Sequence, residues 1–220
     1  DCGMVIVNKN IVQPVTASLT GKTFSEDTMI SFLEKNASKV VDENGKPLAV
    51  YHGTNSYIPD IKKFKKGSKG YLGPGMYFTN SKSYASHYTN YGEDGLMQLY
   101  LNMRKPLEVK TDNPAKEILK TIYGDKADNV YKKREQKDDR ITNIINASDV
   151  KKLQEAGYDG VIWKLTHDIE YMVFEPIQVK SATNNNGDFS TSNPSILFQN
   201  EINDDILNTA AGFDNWVDFM

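Results

Sequence analysis

Cysteine occurs once in the 220 residues, at Cys2, so no intramolecular disulfide framework holds this chain together. Histidine is nearly as scarce. His52, His87 and His167 stand far apart in sequence and far from the cysteine, a spacing that offers no zinc-ligand set and no Ser-His-Asp arrangement. No apolar run approaches the roughly 18 residues of a membrane-spanning helix, and Met4-Val5-Ile6-Val7 is too short for the core of a signal peptide. No Gly-x-Gly-x-x-Gly turn follows a strand-like run, which argues against a Rossmann dehydrogenase. A formal net charge of -3 argues against a surface that grips nucleic acid all over, although a local basic patch stays open. These absences lead to the expectation of a soluble protein that acts in a cytoplasm, directly or after delivery, with no membrane partner and no metal. The chain begins with aspartate, and we read it as a piece of a longer polypeptide.

What is present reads as one domain with extensions. An N-terminal extension over 1–38 carries a short helix from Glu26 to Leu33, with Ser25 as its cap. The core is expected over 39–199. Its first strand, Leu48 to His52, follows a turn at Asp42-Glu43-Asn44-Gly45. A loop with Lys62, Lys63, Lys65, Lys66 and Lys69 then closes at Gly70 to Gly75 and is placed to act as a lid. A helix is expected over Ser81–Tyr91, strands over Leu96–Met103 and from Pro106 to Val109, and a helix over Ser148–Ala156 stopped by Gly157. Three strands follow closely: Gly160–Leu165, Glu170–Phe174 and Gln178–Ala182. The charged stretch 111–140 reads as a solvated insertion, helical from Ala115 to Ile122. Beyond the polar run at Asn184 to Gly187, Ile196-Leu197-Phe198 and a tail over 200–220 with Phe213, Trp216 and Phe219 supply apolar groups for docking on the domain or on a neighbour. The predicted class is α+β, built on antiparallel sheets.

Three separated segments carry chemistry: Val50-Tyr51-His52-Gly53-Thr54, Gly73-Pro74-Gly75-Met76-Tyr77-Phe78-Thr79 and Glu170-Tyr171-Met172-Val173-Phe174. Each is strand-like and presents one polar side chain. Cleaving the bond between nicotinamide and its ribose passes through an oxocarbenium-like sugar, which calls for a well-placed negative group and a held conformation. Glu170 suits the first need. Tyr77 suits an aromatic wall beside nicotinamide, His52 can hydrogen-bond a ribose, and Gly53 lets backbone groups approach a carboxamide. Taken singly, each has a plainer reading: a structural histidine, a core tyrosine among 12, an edge glutamate.

Together these segments resemble the His-Tyr-Glu class of ADP-ribosyltransferases, which includes the poly(ADP-ribose) polymerases and diphtheria toxin. They look most similar to the transferase domains of phage and mobile-element polyvalent proteins. The resemblance runs from about Lys39 to Gln199 and implies a split two-sheet fold with NAD as co-substrate in the cleft. It implies NAD contacts from His52, Gly53, Thr54, Tyr77 and Tyr88, the last standing for the second tyrosine of the nicotinamide slot. Where polymerases place a serine, this chain has Ala85; Ser83 is the neighbouring hydroxyl, on a different helix face, and is kept as a cofactor contact. The loop before Glu170 touches the acceptor in such enzymes, which points to Asp168 and His167 for acceptor recognition.

With the compact loop before Glu170, the resemblance implies a mono-ADP-ribosyltransferase, catalysed through Glu170, His52 and Tyr77, that acts as an effector or toxin. Its expected acceptor is a macromolecule, protein ahead of nucleic acid, and an immunity protein or a parent polypeptide is the expected further partner. NAD hydrolysis with water as acceptor would use the same site. A non-catalytic binding module of a larger phage-type protein is the third reading.

Overall fold

Short alternating apolar runs form the strands of this chain, and side chains that take up backbone amides start several of its helices. The computed structural model describes residues 26–56, 63–137, 140–165, 168–183 and 192–196. The expected extension up to Ser25, Lys62, His167, the 184–187 run, Leu197, Phe198 and the 200–220 tail lie outside these residues.

Seven strands are hydrogen-bonded into one sheet. They are β1 (Val50–Gly53), β2 (Met76–Thr79), β3 (Leu96–Leu101), β4 (Pro106–Val109), β5 (Gly160–Lys164), β6 (Ile169–Val173) and β7 (Val179–Ser181). Their order is β4-β5-β6-β2-β1-β3-β7. The fold is α+β, as the residue pattern predicts, and two details differ. The β4–β5 pair is parallel, because a long crossover containing helices separates its strands. The expected division into two sheets is not made by the pairing, which joins all seven strands; the β1–β2 joint nonetheless rests on a single residue pair, Tyr51↔Thr79.

Alternation along the strands builds a core on each face of the sheet. Val161, Trp163, Met172 and Phe174 enter one cluster, whereas Ile162, Tyr171 and Val173 enter the other. Helix α1 (Glu26–Lys35) buries Met29 and Leu33, one turn apart, against Tyr100. Lys180 of β7 is fully buried, with its ammonium donating to the carbonyls of Asn193 and Ser195, 2.6 Å each.

Helix α2 (Lys82–Ser86) starts at Ser81, whose hydroxyl accepts the Tyr84 N–H. It is much shorter than the expected 81–91. The amides of Asn90 and Tyr91 are taken by the Asn55 and Thr89 side chains, and Gly92 turns to a φ of 57°, so no helical ladder continues.

The charged stretch 111–140 is no solvated insertion. It forms α3 (Pro114–Tyr123) and α4 (Ala127–Glu135), whose Ala115, Ile118, Leu119, Ala127 and Tyr131 are buried in the first core. Its charges dominate the composition, but spacing puts the apolar residues on inward faces. Helix α5 (Ala147–Glu155) starts with a capping box between Asn146 and Asp149 and gives way to Gly157, at φ 84°. Asp149 is fully buried. It accepts two bonds from Arg134, at 2.5 and 3.2 Å, one from the Tyr123 hydroxyl at 2.8 Å and one from the Asn146 N–H at 2.9 Å.

This carboxylate therefore ties α3, α4 and α5 together. Removing it leaves a partly buried guanidinium without its counter-charge, where losing one partner of a fully buried pair typically costs about 3–5 kcal/mol. Asp149→Ala is expected to lower unfolding stability by about 3 kcal/mol in urea titrations with an unchanged slope, and a loss below about 1 kcal/mol would refute the role of the hub.

Candidate functional site

The cleft opens where β1 and β2 part. After Tyr51↔Thr79 the two strands share no further pair, and the Tyr77 carbonyl is met instead by the imidazole of His52, with Nδ1 at 2.8 Å. A carbonyl accepts, so Nδ1 carries the proton. Burial holds the His52 pKa below its usual value against the opposing pull of that bond, leaving a neutral ring with Nε2 as an acceptor. Phe64 stands edge-on to this ring at 4.9 Å and Phe78 lies 5.5 Å away, which fixes its plane.

Strand β2 pairs with β6 in a register that sets Thr79 beside Glu170 and Tyr77 beside Met172. Alternation then puts Tyr77 and Glu170 on one face of the sheet. Tyr77 has no free hydroxyl: it donates to the Gly73 carbonyl at 2.5 Å and accepts the Leu72 N–H at 3.1 Å. Burial pushes its pKa up. What remains available is the ring. The lysine-rich loop passes so close that a Cβ at Gly70 would stand 2.1 Å from the Tyr77 hydroxyl.

Glu170 is only 8% exposed, and burial raises its pKa, opposed by a hydrogen bond from Tyr84 and assisted by the charge of Asp168. The Tyr84 hydroxyl donates to its Oε1 at 2.9 Å, and the Tyr88 hydroxyl donates to Tyr84 at 3.1 Å. Gly53 faces α2, where a Cβ would sit 2.0 Å from the Ala85 carbonyl; only glycine allows this approach.

His52, Gly53, Tyr77, Tyr84, Tyr88 and Glu170 line one cavity of about 350 Å³. Such a volume lies within the range of small-molecule sites. Tyr88 reaches it from just beyond α2 and is 56% exposed at its mouth. Thr54 and Ser83 do not line it: the Thr54 hydroxyl caps a turn at Ser56, and Ala85 is the α2 residue turned inward beside Tyr84. Asp168 is also off the wall and acts on the site through its charge on Glu170.

Sequence reading missed Tyr84, although its place four residues before Tyr88 puts both on one helical face. It also missed Tyr71, which lines the cavity and stacks on Trp163 at 6.1 Å, and Thr142, supplied by the chain between α4 and α5. Lys69 and Gly70 join the wall from the loop proposed as a lid. Among the described residues, no group of three or more His, Cys, Asp or Glu side chains is arranged to hold a metal. No described helix is long and apolar enough to cross a membrane.

Two outcomes are expected of this geometry. A buried neutral histidine disfavours the folded state once the unfolded chain protonates, so stability should fall as pH drops below about 6.5. His52→Gln should reduce that fall between pH 7.5 and 5.5 in denaturant titrations, and an unchanged pH dependence would refute a neutral His52. Gly53→Ala should destabilise by about 1–3 kcal/mol, read as a lower thermal midpoint, because the Ala85 carbonyl must move.

The model of the family described as "ADP-Ribosyltransferase in polyvalent proteins" matches residues 42–189. No curated protein sequence matches the chain. A solved structure described as "Crystal structure of an anti-CRISPR protein" is similar at 15% identity and a TM-score of 0.34, covering 58% of this chain and 89% of that one. That likeness is too slight to carry an argument. The family match spans most of the chain and includes the strands that bring His52, Tyr77 and Glu170 to one cavity, and the chain belongs to the ADP-ribosyltransferases of polyvalent proteins.

Proposed function

We propose that this protein is a mono-ADP-ribosyltransferase that cleaves NAD and transfers ADP-ribose to a macromolecule. The observation that carries the reading is the convergence of a neutral imidazole, a tyrosine ring with an occupied hydroxyl and a buried carboxylate on one cavity. In this reading nicotinamide stacks on Tyr77 and Tyr88, and its carboxamide meets the backbone of Gly53. His52 Nε2 accepts a hydroxyl from the other ribose. Glu170 accepts the 2'-hydroxyl of the nicotinamide ribose and stabilises the positive charge that develops as the glycosidic bond breaks; nicotinamide leaves with the bonding electrons. The acceptor then attacks the anomeric carbon, and its proton is released to solvent.

Single transfer is favoured over chain growth by the tight connection before Glu170. Lys164 of β5 pairs directly with Ile169 of β6, and the Leu165 N–H bonds the Asp168 carbonyl at 3.0 Å, which leaves little loop to hold a polymer. Asp168 beside this turn is our candidate for acceptor recognition, together with His167. The net charge of -3 favours a protein acceptor over nucleic acid. The family description fits action as an effector of a phage or mobile element within a larger parent polypeptide, with an immunity protein as a candidate partner.

The test is incubation with adenine-labelled NAD and a bacterial lysate, comparing the wild type with Glu170→Ala and Glu170→Gln. Glutamate-dependent label on a macromolecule is the expected result, with turnover reduced roughly 100- to 1000-fold in either variant. Label recovered only as free ADP-ribose would make water the acceptor and the protein an NAD glycohydrolase. Absence of turnover in all three proteins would favour a binding module.

A further inference from the structure

Tyr84 has no part in the chemistry set out above, yet it makes the one direct side-chain hydrogen bond to Glu170 found among the described residues. The chain of donors runs inward. Tyr88, more than half exposed, donates to the Tyr84 oxygen at 3.1 Å, and Tyr84 donates to Glu170 Oε1 at 2.9 Å. Both tyrosines project from one turn, their rings edge to face at 5.6 Å, and the Ser81 cap fixes where that turn begins. Each donor in such a series polarises the next, which strengthens the bond that reaches the carboxylate.

We infer that Tyr84 is a positioning residue for Glu170, holding Oε1 so that Oε2 is the oxygen presented to a ribose hydroxyl, and that Tyr88 buttresses it through its own hydroxyl. This rests on the transferase reading above. A buried carboxylate left to itself would turn about its last torsion and take up a proton more readily. The other groups around it cannot supply the tether. Asp168, just before β6, repels, the Tyr77 hydroxyl on β2 is engaged elsewhere, His52 on β1 is tied to the Tyr77 carbonyl, and Lys69 in the loop makes no side-chain bond to it. Tyr88 thus has two separable parts, a ring for stacking and a hydroxyl for the chain.

The test uses Tyr84→Phe and Tyr88→Phe, which remove a hydroxyl and keep the rings. In the ligand-free protein, a carbon-13 NMR titration of Glu170, assigned with Glu170→Gln, should move to higher pH in Tyr84→Phe and less so in Tyr88→Phe, because a donor to the charged form is lost. In NAD turnover, Tyr84→Phe should lose about tenfold or more in kcat, with KM within about threefold, and the acid limb of its pH profile should shift upward. Wild-type titration of Glu170 in Tyr84→Phe, or a raised KM with unchanged kcat, would overturn the inference. If the wild type turns over no NAD, the transferase reading fails, and the titration alone decides whether Tyr84 holds Glu170.

Discussion

Everything in this cleft depends on a backbone carbonyl that has lost its strand partner. β1 and β2 pair once, at Tyr51↔Thr79, and then separate, leaving the Tyr77 carbonyl to be satisfied by the His52 ring. A buried carbonyl without a donor costs about 1–3 kcal/mol, so the histidine closes the sheet chemically while the strands hold it open sterically. The same bond settles the tautomer. A glutamine or asparagine could donate to the carbonyl, but it would not leave an aromatic nitrogen acceptor on the far side of a ring wedged against Phe64 and Phe78.

The second dependence is longer in range. Asp149 gathers Arg134, Tyr123 and the Asn146 amide, while Arg134 also donates to the Ile144 carbonyl at 2.7 Å. The segment thus anchored contains Thr142, whose carbonyl accepts the Gly70 N–H at 3.3 Å and which itself lines the cavity. The charged stretch is in this way part of the site's wall, connected to it by a buried ion pair and not merely appended to the domain.

Legibility in the sequence followed the range of the forces involved. Strand β4 lies where Pro106 to Val109 predicted, and Gly157 ends α5 as expected, since proline, glycine and alternation act locally. His52, Tyr77 and Glu170 stand out in the sequence because each sits in a segment with its own signature, and the fold brings all three to one cavity. Helix α2 was read too long because Asn55, distant in sequence, takes the Asn90 amide. Thr54 and Ser83 do not line that cavity, the first having its hydroxyl on a local turn and the second being exposed on α2. Tyr84 escaped notice because its spacing from Tyr88 marks a shared face but not the carboxylate, 86 residues away, that it bonds. Lys180, fully buried against two carbonyls, was no more visible.

The clasp on the Tyr77 hydroxyl bears on how a ligand would enter. Leu72 and Gly73 are bonded to it within the fold, and Gly70 is packed against its ring. The freedom of these three residues is therefore lost at folding, not at association. Ordering a mobile side chain on binding takes roughly 0.5–1.5 kcal/mol from affinity, and a prefastened wall avoids that loss over several residues. It also sets a boundary: widening the cavity past Tyr77 toward Leu72 and Gly73 would break both hydrogen bonds to the phenol.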